Sequence, residues 1–238
     1  MRIGLAAELI ASVTIFPCYF ITDNSTLESY MQEFKEIPAS RKSLAFRRPI
    51  YGKGINDAPY MSELRIDGVR VRCPFYRKWQ NMLMRCYSSK YQEKYPTYVG
   101  CTACDEWLTF SNFKSWMIDQ DWEGMQLDKD LLVSGNKVYS PGFCVFVPQS
   151  LNKLLNESEA SRGEWPQGVR LHNQCVKFQS YCSVNGRVKH LGLFTTAEAA
   201  CTAYKQFKSN HIKEVAQEHK SNTKLYNALM THANLMLR

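Results

Sequence analysis

At 238 residues the chain has room for one or two domains with a real core. Its 45% hydrophobic and 22% charged residues are ordinary for a globular protein, with no internal repeat and no low-complexity tract. Nine cysteines, an odd number with no even framework of small loops, argue against a disulfide-stapled secreted domain and fit a reduced, cytoplasmic-type compartment. The formal net charge of +8 points to an anionic partner only if it is gathered in one place.

Residues 1–72 form an N-terminal region whose role is not legible. Leu9 to Ile21 is an apolar run after Arg2, as in a signal peptide. Glu8 sits in the region, Pro17 breaks it, and no small-x-small cleavage site follows. The run also falls short of the ~20 residues needed to span a bilayer, so no membrane partner is expected. Lys42, Arg47 and Arg48 form a basic patch, and Tyr51 to Asn56 is loop-like. The Gly52-x-Gly54 pair lacks the third glycine and the strand-to-helix context of a phosphate-binding loop.

Residues 73–157 form an aromatic-rich module. The spacing predicts a helix over Phe75 to Tyr87, with Trp79, Met82, Leu83 and Cys86 as its apolar stripe. Trp107, Phe110, Phe113 and Trp116 recur at helical spacing and are expected in the core. Gln126 to Val133 and Val138 to Val147 read as two strands around a loop holding Gly135-Asn136, and Gln149 to Leu155 starts another helix. Cys101-x2-Cys104 has zinc-knuckle spacing, and Cys86 and Cys144 could supply two more thiolates for a structural Zn²⁺. The other reading of these thiols is plain packing, since free cysteine is among the most buried residue types.

WQNMLMRCY, the stretch from Cys104 through Trp107 to Phe113, LDKDLLVSGNKVYSP and CVFVPQSLNKLL resemble phage-encoded HNH-type homing endonucleases, over residues 52–157. The resemblance implies a ββα-metal nuclease module in which Asp128 and Asn152 match the two ligand positions for a divalent cation, Mg²⁺ or Mn²⁺. It also exposes departures. Lys129 stands where the family has its base and Phe143 where it has an Asn, and none of the five histidines lies in the module. A lysine of ordinary pKa is about 0.04% neutral at pH 7, too little for a base. Lys129 would instead hold a phosphate, leaving Asp130 or a metal-bound hydroxide to activate water. The alternative for Asp128 and Asp130 is a solvated hairpin end.

Residues 158–165 read as a linker, and residues 166–213 as a small αβ module. From Gly168 to Lys213 seven Lys and Arg residues stand against the single acid Glu198, a net +6 out of the chain's +8. Val176 to Val184 alternates, so Phe178, Ser180 and Cys182 face one way and Lys177, Gln179, Tyr181 and Ser183 the other. Asn185-Gly186 predicts a two-residue turn pairing Val184 with Arg187, Ser183 with Val188 and Tyr181 with His190. Thr195-x-x-Glu198 reads as a capping box opening a helix that carries Ala200, Ala203, Tyr204 and Phe207.

QGVRLH, KFQSYCSVNGRVKHLGLF and TTAEAACTAY, about fifty residues, resemble the APETALA2/ethylene-response-factor DNA-binding domain. The resemblance implies a three-stranded sheet lying in the major groove of double-stranded DNA, with the helix behind it. Its DNA-facing set would be Arg170, His172, Gln179, Tyr181, Ser183 and His190, flanked by Lys177, Arg187 and Lys189. Residues 214–238 add a last helix with Leu225, Leu229, Ala233 and Met236 on one side. The expected class is α+β, a ββα-metal (HNH-like) module beside a three-stranded antiparallel sheet packed on one helix. The expected activity is divalent-metal hydrolysis of DNA. The alternatives are a degenerate nuclease that only binds DNA, and a basic protein that meets an acidic partner.

Overall fold

The computed structural model describes residues 34–66, 68–155, 164–172 and 176–237. The apolar run at 9–21, residues 158–163 of the expected linker, and Cys175 lie outside them. The chain divides into Met1–Lys35 and Glu36–Arg238, and the second unit is a mixed α+β fold. Among the described residues no helix is long and apolar enough to cross a membrane.

The unit opens with a short helix α1 (Arg41–Ala45) and a hairpin, β1 (Glu63–Ile66) with β2 (Val69–Arg72). Arg47, expected in an exposed basic patch, is turned inward. Its guanidinium donates to the carbonyls of Asn56, Ala58 and Tyr60 at 2.8, 2.6 and 2.7 Å. A loop whose carbonyls have no ladder partner needs such a donor, and a planar fork supplies several at once.

Helix α2 (Pro74–Tyr87) starts at a proline, which suits the first turn because its missing N–H would be unbonded there anyway. It buries Tyr76, Trp79, Met82, Leu83 and Cys86, the expected stripe plus one turn. Trp79 is fully buried and donates its indole N–H to the carbonyl of Trp107 at 2.7 Å. Phe110 meets Trp79 and Tyr76 with ring centroids 5.4 Å away, and Trp107 meets Trp116 at 4.5 Å. Phe110 and Phe113 of helix α4 (Phe110–Ile118) are thus core, as their spacing implied, while Trp116 is half-buried; a short helix α3 (Ser89–Lys94) intervenes. Gly54 has a packing role: a Cβ there would run into Leu83 and the Trp79 ring.

The two long strands expected after residue 125 are replaced by short ones. Strand β3 (Thr102–Ala103) pairs in parallel with β5 (Val138–Tyr139), while β4 (Gln126–Asp128) pairs antiparallel with β6 (Val145–Val147). Strand β4 stops at Asp128 because that carboxylate takes the N–H groups of Asp130 and Leu131, bending the chain at once. Ser140-Pro141-Gly142 breaks the second strand: the N–H groups of Phe143 and Cys144 turn back to the Ser140 carbonyl, and proline offers no ladder donor. Helix α5 (Gln149–Leu155) follows β6 directly.

Strands β7 (Val169–His172), β8 (Lys177–Val184) and β9 (Arg187–Phe194) form one antiparallel sheet in that order. Helix α6 (Ala197–Glu218) is capped by the Thr196 side chain, which accepts from the Ala199 N–H at 3.2 Å. The cap sits one residue beyond the expected Thr195, and Glu198 lies in the first turn, where a negative charge suits the helix dipole. The first half of α6 packs Ala197 and Ala200 under Val169, Phe178 and Phe194. Its second half runs past the boundary expected at 213. Ile212 and Ala216 share one core with Leu225, Leu229 and Ala233 of helix α7 (Thr223–Leu235) and with Leu131, Val145, Val147 and Leu151. A single 22-residue helix therefore ties the sheet to the β4–β6–α5 corner.

Candidate functional site

Directly opposed residues of an antiparallel pair share a face. The observed register pairs Val184 with Arg187, Ser183 with Val188 and Tyr181 with His190, as the Asn185-Gly186 turn requires. On the other side of β8, Arg170 pairs with Gln179 and His172 with Lys177. The face away from α6 thus has four rows: His172 and Lys177; Arg170, Gln179 and Leu193; Tyr181 and His190; Ser183 and Val188. Tyr181 and His190 point away from the core formed with α6, as expected.

The rows are not loose. Arg170 Nε donates to Gln179 Oε1 at 2.8 Å, and its guanidinium carbon stands 5.1 Å from the Tyr181 ring centroid. A guanidinium held by a carboxamide and a ring loses little freedom when a further acceptor arrives.

The flanking residues divide differently from expectation. Lys189 opposes Cys182 on the α6 side, its Nζ 4.7 Å from the Phe207 ring centroid, and Arg187 opposes Val184 on that side too. Lys208 is only 4% exposed and lies against Tyr204 under the sheet. The net +6 is consequently spread over both faces and the interior. The outer face keeps Arg170 and Lys177 as permanent cations, with His172 and His190 beside them.

A register shift between Ser180 and Tyr181 explains why Leu193 was not read onto this face, while Val188 stands opposite Ser183 as the turn requires. Leu191 is the extra residue, and Gly192 next to it has φ +142°, which only glycine adopts without strain. An isolated glycine inside a strand pattern was the one available signal.

The second candidate lies at the β4–β6–α5 corner. Asp128 and Gln126 oppose Val145 and Val147, both core residues that pack with Leu151, so the two polar side chains share the face on which α5 lies. Asn152 of α5 donates through Nδ2 to Gln126 Oε1 at 3.1 Å. Asn152 is therefore tied to β4 through Gln126, unremarked in the sequence, which lies two residues from Asp128 on the same strand face. Asp128 accepts through Oδ1 from the N–H groups of Asp130 and Leu131 at 3.0 and 2.8 Å. Burial, and next the Asp130 charge, push the Asp128 carboxyl above its ordinary range.

Lys129 turns the other way. It is 6% exposed, and its Nζ bonds Asp130 Oδ2 at 3.0 Å, so it is spent inside the protein rather than offered to a phosphate. Asn136 closes the loop behind it, donating to the Lys129 and Val138 carbonyls at 2.6 and 2.7 Å.

The four cysteines named as candidate Zn²⁺ ligands, Cys86, Cys101, Cys104 and Cys144, all lie among the described residues. Among the described residues no group of three or more His, Cys, Asp or Glu side chains stands placed to hold a metal ion. Cys86, Cys101 and Cys144 are buried and Cys104 half-buried, all as free thiols. Burial pushes the Cys86 and Cys144 thiols up to about 12.

Comparison with protein-family models, with curated proteins and with solved structures finds no match to this chain.

Proposed function

We propose that this chain binds duplex DNA through the outer face of β7–β9 and hydrolyses a phosphodiester bond at the Asp128–Asn152 corner with a divalent cation, in the manner of the phage HNH-type homing endonucleases it resembles. The observation that carries the reading is the outer face itself. It sets cationic, amide, hydroxyl and imidazole groups in rows on a rigid sheet, with Arg170 already oriented by Gln179 and Tyr181. Arg170 and Gln179 suit the acceptors and donors of base edges, and Lys177 suits a phosphate.

The corner's donor set fits a hard cation: a carboxylate oxygen of Asp128 and the amide oxygen of Asn152, whose Nδ2 is turned to Gln126. Bound there, Mg²⁺ or Mn²⁺ would polarise the scissile phosphate and stabilise the leaving oxygen. Asp130, half exposed and held through Oδ2 by Lys129, keeps an oxygen to take a proton from the attacking water. The test is incubation with supercoiled DNA, with and without Mg²⁺. Nicked or linear product that disappears with Asp128→Ala is expected. Tight DNA binding with no cutting under Mg²⁺ or Mn²⁺ would falsify the hydrolytic half.

A second reading, DNA binding without hydrolysis, is favoured by one observation. The residue at the base position, Lys129, is buried and ion-paired, and none of the five histidines falls within residues 73–157 of the sequence. Under it, Asp128→Ala leaves function intact while Arg170→Ala removes it.

A further inference from the structure

Two aliphatic side chains stand on the outer face of β7–β9. Val188 is 68% exposed and Leu193 44%. A lone exposed apolar residue needs no explanation. These two differ in how they come to be there. On an unbroken β9 the face that carries Val188 and His190 would continue with Gly192 and Phe194. The extra residue at Leu191 changes the phase, so Phe194 turns in against Val169 and Ala200 and Leu193 turns out opposite Gln179. The fold hides one large side chain and presents another on the polar, cationic face in the same step.

We propose that Val188 and Leu193 contact the C5-methyl groups of thymines in the major groove, which makes the chain selective for duplexes with thymine at two set places. The proposal rests on the DNA-binding reading of this face and names the bases it would select. Each base pair offers donors and acceptors in the major groove, and thymine adds a methyl group, the natural partner for an aliphatic side chain. The polar neighbours on the same face, Arg170 with Gln179 and Tyr181 with His190, are suited to the hydrogen-bonding edges on either side. Val188 and Leu193 oppose Ser183 and Gln179, four residues apart on β8. That separation is about 13 Å at strand spacing, or about 4 base-pair steps where the strands follow the groove.

Deoxyuridine lacks the methyl of thymidine and keeps its hydrogen-bonding edge, so it isolates the proposed contact. The full chain is first used to enrich a binding site from a randomised duplex pool. Affinity is then measured for that site with each thymidine replaced in turn by deoxyuridine. The expected result is two positions, ~4 base pairs apart, at which the replacement weakens binding about 4-fold, the worth of one buried carbon group. Val188→Ala and Leu193→Ala should each erase the loss at one of the two positions, with thermal melting unchanged because both side chains are on the surface. The proposal is overturned if uracil and thymine bind alike throughout, if the discrimination survives in the double variant, or if the enriched pool has no preferred sequence. Failure to retain any duplex at low salt sinks the DNA-binding reading as well. Retention without thymine selectivity sinks this proposal alone.

Discussion

The sheet and the Asp128 corner treat charge in opposite ways. On β7–β9, Arg170 is exposed and oriented by neutral partners, Gln179 and Tyr181, so its charge remains available to an anion. At the corner, Lys129 is 6% exposed and bonded to Asp130, and the Asp128 carboxylate is tied to two backbone N–H groups. Arg47 follows the second pattern, its guanidinium taken up by three carbonyls. The lesson is that a count of basic residues measures a recognition surface only after inward-turned cations are removed. Interior charges should register in stability, and exterior charges in binding.

The largest effect is expected in the core shared by the two regions. Leu229 is fully buried where α6, α7, β6 and α5 meet. Leu229→Ala should cost about 2–5 kcal/mol and lower one cooperative unfolding transition, followed together by sheet and corner amides in hydrogen exchange. Separate transitions would mean that the regions are independent and that the shared core does not couple them.

Arg47→Met keeps much of the side-chain volume and strands three carbonyl acceptors. A loss of about 2–3 kcal/mol in denaturant melts is expected, with DNA affinity unchanged. The reverse outcome would return Arg47 to the basic patch that its sequence position suggests.

Arg170→Ala is the mirror test. It should weaken DNA binding by about 1–3 kcal/mol while leaving the melting curve in place. Equal affinity of variant and parent would remove Arg170 from the interface.

The smallest effect concerns Asp128. Its folded-state pKa lies above the unfolded one because burial penalises the carboxylate. Between the two values the folded chain binds more protons, so stability falls as pH rises through that window from the ordinary Asp range upward. Asp128→Asn retains an acceptor for the two N–H groups and should raise stability at neutral pH, where burial penalises the carboxylate. It should also flatten that part of the stability–pH curve, while DNA cleavage is lost. A parent curve that rises with pH across the same window would contradict the burial argument.

Local chemistry made some parts of this molecule legible. The Asn185-Gly186 turn determines the pairing of Tyr181 with His190, because both turn positions need positive φ, observed as 50° and 77°. The spacing of Trp79, Met82, Leu83 and Cys86 determines the buried face of α2, because one helical stripe can face one neighbour. Asp128 and Asn152 were legible as residues, whereas Gln126, which accepts from Asn152, was not, since a single amide-to-amide bond leaves no periodic trace.

By itself, then, the sequence determined the elements whose cause lies within a few residues: the β8–β9 hairpin near its turn, the stripe of α2 and the aromatic core. The tertiary structure alone decided the bulge at Leu191, the inward fates of Arg47, Lys129 and Lys208, and the union of sheet and corner through α6. Each of those depends on a surface that reaches the residue only once the chain has folded, and no local pattern encodes which side chain will meet it.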